Sequence, residues 1–429
     1  MQNWPKNCSV LKMKQLILFF VCPLLSFAQT NGAIFENKIY KTNIHTVLLH
    51  PRDFELSSPI IALNSGEQLK LSFDDFSSTI NSYTYTLQHC TPDWKSSTIW
   101  QSDYLKGFYD FAISNYEFSF NTFQKYIHFS ENFPNENMQI TKSGNYIIKV
   151  YQDGDPENAV LTMRFMVVDN QLGIEVNEHP SSIPGDQYTR HEVDFNILPQ
   201  QVNVTDPYSE LKVVLLQNYN WNSAITTLKP KFNNGEVFSY NYDGENNFDA
   251  GNEFRYFDIR SLRFQSERIS DYVQIDGLYH TILKPDEKRN FLQYRLYTDF
   301  DGMRTIDVQE GSKDAVEADY SPVHFTLKSD SIANAEIYVY SALTNWQIIP
   351  EAKMKFNAEE KTYTHTLLCK QGYYNYKYAV VKNGKFDENY LEGNFYATEN
   401  VYQVLVYFKS VIGDYWQLMG TSLVKSTLK

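Results

Sequence analysis

The sequence predicts an all-β protein built from β-sandwich domains in tandem, and three observations carry that expectation. Apolar and polar residues alternate with period two in segment after segment, while long helical periodicity is almost wholly missing. The chain holds 32 Tyr and 29 Phe in 429 residues, an aromatic load suited to pleated, half-buried strands. Short turn signals rich in Gly, Asn, Asp and Pro punctuate the alternation.

Leu69, Leu71 and Phe73 alternate with Lys70, Ser72 and Asp74, and Tyr83, Tyr85, Leu87 and His89 share one face of a second strand opposite Thr84, Thr86 and Gln88. Residues 145–151 and 159–168 flank Asp153-Gly154-Asp155-Pro156 and read as a hairpin. A first domain over 29–170 closes there. Gly173-Ile174-Glu175-Val176 and a loop over 180–185 open a second domain, 171–321, with strands expected at 192–197, 211–217, 254–259 and 291–297. Its turns are Asn233-Asn234-Gly235 and Asp301-Gly302. A third domain, 322–429, carries strands at 323–327, 335–340, 362–368, 373–381 and 401–408, with Tyr374, Tyr376 and Tyr378 on one face and the turn Asn383-Gly384 just beyond. A chain of 429 residues exceeds what one core usually serves, so two to three domains is the expected number.

The first residues bear on compartment. Met13-Lys14, an apolar run over 16–25 and Ser26-Phe27-Ala28 have the layout of a cleavable signal peptide, 1–28. The run is shorter than the roughly 20 residues of a membrane-spanning helix. Cys22 lies in Phe-Val-Cys-Pro, without the small residues of a lipidation site, so no direct lipid anchor is expected. Cleavage would remove Lys6, Lys12 and Lys14 and no acid, taking the formal charge of −13 down by three, to −16. That balance argues against nucleic acid and anionic lipid as partners, since both demand concentrated Lys and Arg. Cys90 and Cys369 are the cysteines beyond residue 28; they are expected as buried free thiols, with an inter-domain disulfide as the alternative.

Candidate chemistry is sparse, and no enzyme is expected. His89-Cys90 with Asp93-Trp94 is the tightest cluster, but neighbours on a strand point to opposite faces, which prevents His89 from acting as base to Cys90. No zinc-spaced partner lies nearby. Asp74-Asp75 and Asp153-Gly154-Asp155 lack the alternating oxygen ligands of a calcium loop and read as turn chemistry. Asn203-Val204-Thr205 matches a glycosylation sequon. A hydrolase would need two carboxylates, or a His and a nucleophile, facing one cleft; no such pair is visible. No cofactor, metal ligand or catalytic residue is assigned.

Asn345-Trp346, followed by Gly372-Tyr373-Tyr374-Asn375-Tyr376-Lys377-Tyr378, resembles early-set immunoglobulin-like modules that bind glucans through a stacking Trp. The sequence therefore predicts an all-β fold of tandem immunoglobulin-like or early-set β-sandwich domains. Trp346 is the candidate sugar platform of an alternative reading, a periplasmic or surface carbohydrate-binding protein, although no second aromatic for such a platform is apparent.

The first domain carries an ordered set of phrases: Leu71-Ser72-Phe73-Asp74-Asp75, His89-Cys90-Thr91-Pro92-Asp93-Trp94, Tyr104-Leu105-Lys106-Gly107-Phe108, Ser119-Phe120-Asn121-Thr122, Phe133-Pro134-Asn135-Glu136, Ser143-Gly144-Asn145-Tyr146 and Arg164-Phe165-Met166-Val167. In this order they resemble the plug protein family of the type IX secretion system. The resemblance implies a periplasmic, outer-membrane-associated and non-enzymatic accessory that seals the periplasmic mouth of a large outer-membrane translocon barrel, its partner. Candidate contact surfaces are the loops over 92–107 and 109–133, since binding residues concentrate on loops held by a scaffold.

Overall fold

The computed structural model describes residues 35–409 and 414–426, so the expected leader 1–28 lies outside the described residues. Among the described residues the elements are strands with a few one-turn helices. They form three sandwiches.

In the first sandwich, one sheet runs in the order Ile44–Pro51, Leu69–Asp75, Ile127–Phe133, Tyr116–Phe118. The other runs Lys38–Ile39, Ala159–Val168, Gly144–Gln152, Tyr83–Cys90, Asp110–Ile113, with Ile60–Ala62 parallel to Ala159–Val168. The alternation foreseen in the sequence fills the space between them: Leu69, Leu71 and Phe73 meet Tyr83, Tyr85, Leu87, Phe129 and Phe165. Large aromatic rings suit this layer because each removes a wide apolar area from water, worth about 25 cal/mol per Å². Two glycines are fixed by close approach. A Cβ on Gly107, at φ +100°, would lie 2.1 Å from the Asn137 carbonyl, and one on Gly144 would lie 2.3 Å from His89 Nε2.

The remaining strands do not divide at 321/322 as expected. Val401–Lys409, placed by sequence in the third domain, pairs along its length with Leu211–Gln217 and with Trp416–Lys425. This sheet covers the one formed by Gly173–Pro180, Arg190–Leu198, Phe238–Tyr240 and Phe232–Asn233, and their shared core joins Val193, Phe195 and Tyr240 to Val213, Tyr402 and Val404. The second sandwich is thus made from two distant stretches of chain. Inserted into it is the third, in which Arg255–Asp258 and Arg304–Ile306, expected in the second domain, pair with Gly372–Lys382. The facing sheet holds Ile269–Ile275, Leu278–Leu283, Tyr320–Lys328, Thr362–Lys370 and Lys355–Asn357. Residues 291–297, expected as a strand, form none; their tyrosines are held by hydroxyl bonds, Tyr294 to Glu253 Oε1 and the Ala397 carbonyl, Tyr297 to the Glu253 carbonyl.

The seams between sandwiches differ in kind. First and second share an apolar cluster of Cys90, Trp94, Ile147, Met166, Val214, Leu216, Leu405, Tyr407 and Leu418. First and third meet through buried charge.

Candidate interaction surface

That charged seam begins with Asp74, which the strand Leu69–Asp75 turns away from the apolar core of its own sandwich and toward the third. Lys370 Nζ lies 2.6 Å from Asp74 Oδ2, with both side chains 1% exposed. The Tyr320 hydroxyl donates to the same oxygen at 2.6 Å, and His128 Nδ1 is 2.7 Å from Oδ1. Lys370 also donates to the Ala315 carbonyl at 2.7 Å and sits 4.2 Å from the centre of the Tyr126 ring. Burial alone would push the Asp74 carboxyl upward, but the Lys370 ammonium and His128 override it and hold the carboxyl below its usual range. Asp319 adds a second tie, accepting the Phe123 and Gln124 amides at 2.6 and 3.1 Å. These groups fix the loop 119–126 against the third sandwich.

Just beyond that loop the first sandwich has an open edge. Both of its sheets end there in short strands, Asp110–Ile113 and Tyr116–Phe118. Tyr116 pairs with Phe129 and Phe118 with Ile127, both core residues, so Tyr116 and Phe118 point to the core side of their sheet. They are nonetheless uncovered, 40% and 59% exposed, and in the neighbouring sequence Trp100, Phe108, Phe120 and Phe123 are also exposed. Phe123 packs edge-on to Tyr279 of the third sandwich, 5.3 Å between centroids, and with Phe120 it borders a groove of about 380 Å³ that also takes in Leu262 and Arg263. Exposed aromatics on a short edge strand and in the loops beside it can serve as a docking surface: large apolar bodies for burial, and an edge whose main-chain groups an extended partner can use.

The other candidates from the sequence fall elsewhere. His89 is buried, with Nε2 3.2 Å from the Ser143 carbonyl, and burial lowers it to about 4. Cys90 lies in the apolar seam, where burial pushes its thiol up to about 12, and Cys369 is a second buried free thiol. Neither suits nucleophilic work. Asp93 pairs with Lys212, and Trp94 packs edge-on to Trp221 at 4.9 Å. Asp75 is consumed by Asn43, Ser77, Asn81 and Tyr83, and Asp155 by the Glu157 amide. Trp346, the glucan candidate, is only 9% exposed and wedged edge-on against Phe254 and Tyr340, 5.8 and 5.5 Å between centroids. A sugar platform needs an open ring face, and this ring serves packing instead.

One grouping escaped sequence reasoning. His179, Glu192 and Asp194 bring three donor atoms within 4.8 Å of one another on neighbouring strands. Their register, His179 opposite Glu192, could be known only from the pairing. The oxygens are already engaged, Glu192 by the Ser182 amide and hydroxyl and Asp194 by Asn246 and His179, so the set reads as a hydrogen-bonded cluster.

The fold and this surface define a class: a protein of three β-sandwiches with exposed aromatics on and around one edge of the first. The family model for the type 9 secretion system plug protein 1st domain matches residues 44–169, the first sandwich with that edge inside it. The chain belongs to the type IX secretion system plug protein family and has a role associated with type IX secretion. A crystal structure of a hypothetical protein from Parabacteroides merdae is similar over 92% of this chain and 100% of its own, at 30% identity and a TM-score of 0.89. No curated protein matches.

Proposed function

We propose that the protein is a periplasmic plug that closes the inner mouth of the type IX outer-membrane translocon, docking through the aromatic edge of its first sandwich and catalysing nothing. The observation that carries this reading is the position of the exposed aromatics over 100–123, within the segment that matches the plug domain. Closing a wide pore asks for a stiff body and a reversible interface. Stiffness follows from the apolar seam with the second sandwich and the Asp74–Lys370 seam with the third, so that force on one module reaches the others. Reversibility favours an interface of aromatic anchors with polar neighbours over a wholly greasy one. The leader expected at 1–28 would deliver the chain to the periplasm.

The reading is tested by affinity capture of the tagged protein from detergent-solubilised envelope. Recovery of an outer-membrane barrel at near-equal stoichiometry, lost when Phe118 and Phe120 are both changed to Ser, supports it. Undiminished capture by the double variant would move the interface elsewhere, and failure to recover any barrel from wild-type cells would remove the sealing role.

A further inference from the structure

The three sandwiches meet around a cavity of about 220 Å³ that all of them line, the first through Leu48 and Arg164, the second through Trp221, the third through Arg304 and Trp346. Direct bonds between the sandwiches fix its walls. From the third to the first, Arg304 Nη2 donates to the Val47 carbonyl at 3.1 Å, the Ile306 amide to Glu55 Oε1 at 3.1 Å, and Gln347 Nε2 to the Asn37 carbonyl at 2.6 Å. From the second to the third, Asn222 Nδ2 donates to the Tyr340 hydroxyl at 3.4 Å and to the Trp346 carbonyl. Walls tied on several sides are in place before a ligand arrives, which lowers the ordering cost of binding.

Two arginines line this cavity, and neither is ion-paired among the described residues. Arg164 donates through Nε to the Phe35 carbonyl at 2.7 Å and lies 4.5 Å from the centre of the Trp94 ring, and its two η nitrogens have no acceptor among the described residues. Arg304 donates to the Ala342 and Val47 carbonyls at 3.0 and 3.1 Å. Two carboxylates stand at the same cavity. Glu36, half-exposed, is paired with Lys38 at 3.9 Å, and Glu55 accepts the Ile306 amide. Two guanidiniums therefore face one carboxylate that has no cation of its own, a positive cavity in a chain of formal charge −13. A partly buried guanidinium gains from a counter-charge, and the free end of Arg164 presents the planar two-donor fork that matches a carboxylate. Apolar side chains make up much of the remaining wall, Met163, Met166 and Met303 beside Trp221. A dry cavity of about 150 Å³ holds benzene. At about 220 Å³ this one has room for a ring and a short acidic arm.

We propose that the junction of the three sandwiches is a binding site for a carboxylate carried on an aromatic or similarly sized apolar body, either a free small acid or the C-terminal residue of a peptide. The Arg164 fork takes the carboxylate, Arg304 adds a second positive charge, and the methionine and tryptophan side chains cover the body. A ligand seated there touches all three sandwiches and stabilises their assembled form by mass action. This inference does not rest on the plug reading, because none of the residues lining the cavity belongs to the aromatic segment 100–123.

Isothermal titration calorimetry on the full-length mature protein tests it with two probes, 3-phenylpropionate for the free acid and the tripeptide Ala-Ala-Phe with a free C-terminus for the peptide, each compared with its uncharged amide. The expected result is saturable one-to-one binding of at least one acid with a Kd at or below about 1 mM, within reach of a ligand of this size. Its amide should bind at least about tenfold more weakly, the loss of a charge-assisted bond. The acid with the lower Kd identifies the source. Arg164→Gln should weaken binding by a similar factor, and Arg164→Lys, which keeps the charge but not the fork, should recover only part of it. Leu48→Trp, which fills the cavity and leaves both arginines in place, should abolish binding, and it serves should the arginine variants fold poorly. No saturable binding of either acid at ten times that concentration, an amide that binds as well as its acid, or affinity unchanged in whichever variant folds, overturns the site.

Discussion

Replacing Lys370 with Met tests whether the seam between the first and third sandwiches is held by buried charge. Three interactions vanish together: the 2.6 Å ion pair with Asp74, the 2.7 Å bond to the Ala315 carbonyl and the cation–π contact 4.2 Å from the Tyr126 ring. Asp74, 1% exposed, keeps the Tyr320 hydroxyl and His128 but loses its ammonium counter-ion. Removing one partner from a buried pair costs about 3–5 kcal/mol, because the stranded charge stays desolvated. At 1.4 kcal/mol per decade, the lower figure is already about a hundredfold in the unfolding equilibrium. The Lys370→Met, Asp74→Leu double variant should recover much of the loss, since an apolar pair of similar size leaves no charge behind. Urea denaturation followed by tryptophan fluorescence reads the first unfolding transition. A loss under about 1 kcal/mol in the single variant, or a double variant no better than the single, would refute the assignment.

Four further outcomes follow from the same geometry. Phe118→Ser with Phe120→Ser should leave the melting temperature within error, because both rings are exposed, yet weaken capture of the barrel at least about tenfold, as expected for interface anchors. Trp346→Ala should cost about 3–5 kcal/mol by calorimetry, as for any large buried aromatic, with no change in retention on glucan resin. Burial would raise Glu392, but Arg255 and Arg289 hold it at about 2 against an ordinary 4.5. Its contribution of about 3 kcal/mol is therefore complete above about pH 4.5 and lost as pH falls toward 2, and acid titration of Glu392→Gln should lack that step. Cys90 and Cys369 should stay unreactive toward a thiol reagent in the native protein and react fully in denaturant; rapid native labelling would contradict their burial.

Much of the fold was legible because period-two alternation reports a local fact, which face of a strand is covered. Tyr374, Tyr376 and Tyr378 do share a core face, and the hairpin flanking Asp153-Gly154 pairs Gly144–Gln152 with Ala159–Val168. What alternation does not encode is the identity of a distant partner. Nothing in residues 401–408 says that they belong beside 211–217 rather than beside their sequence neighbours, so the nesting of the third sandwich within the second was missed. The Asp74-Asp75 pair read as turn chemistry for the same reason: its partners Lys370 and Tyr320 lie some 300 and 250 residues away and arrive only with the third sandwich. The loop over 109–133 stood out for its aromatics, but their exposure depends on both sheets stopping short at that edge, a matter of strand length and pairing. Trp346 misled because a Trp before a Tyr-rich strand looks alike whether its ring faces solvent or the Phe254 and Tyr340 rings.

The most direct test of the docking account is site-specific photo-crosslinking in living cells, with a benzophenone amino acid at Phe118 and, as a control on the second sandwich, at Lys231. Crosslinking from 118 to an outer-membrane barrel of the secretion system, with none from 231, is the predicted result. Crosslinking from 231 and none from 118 would contradict it.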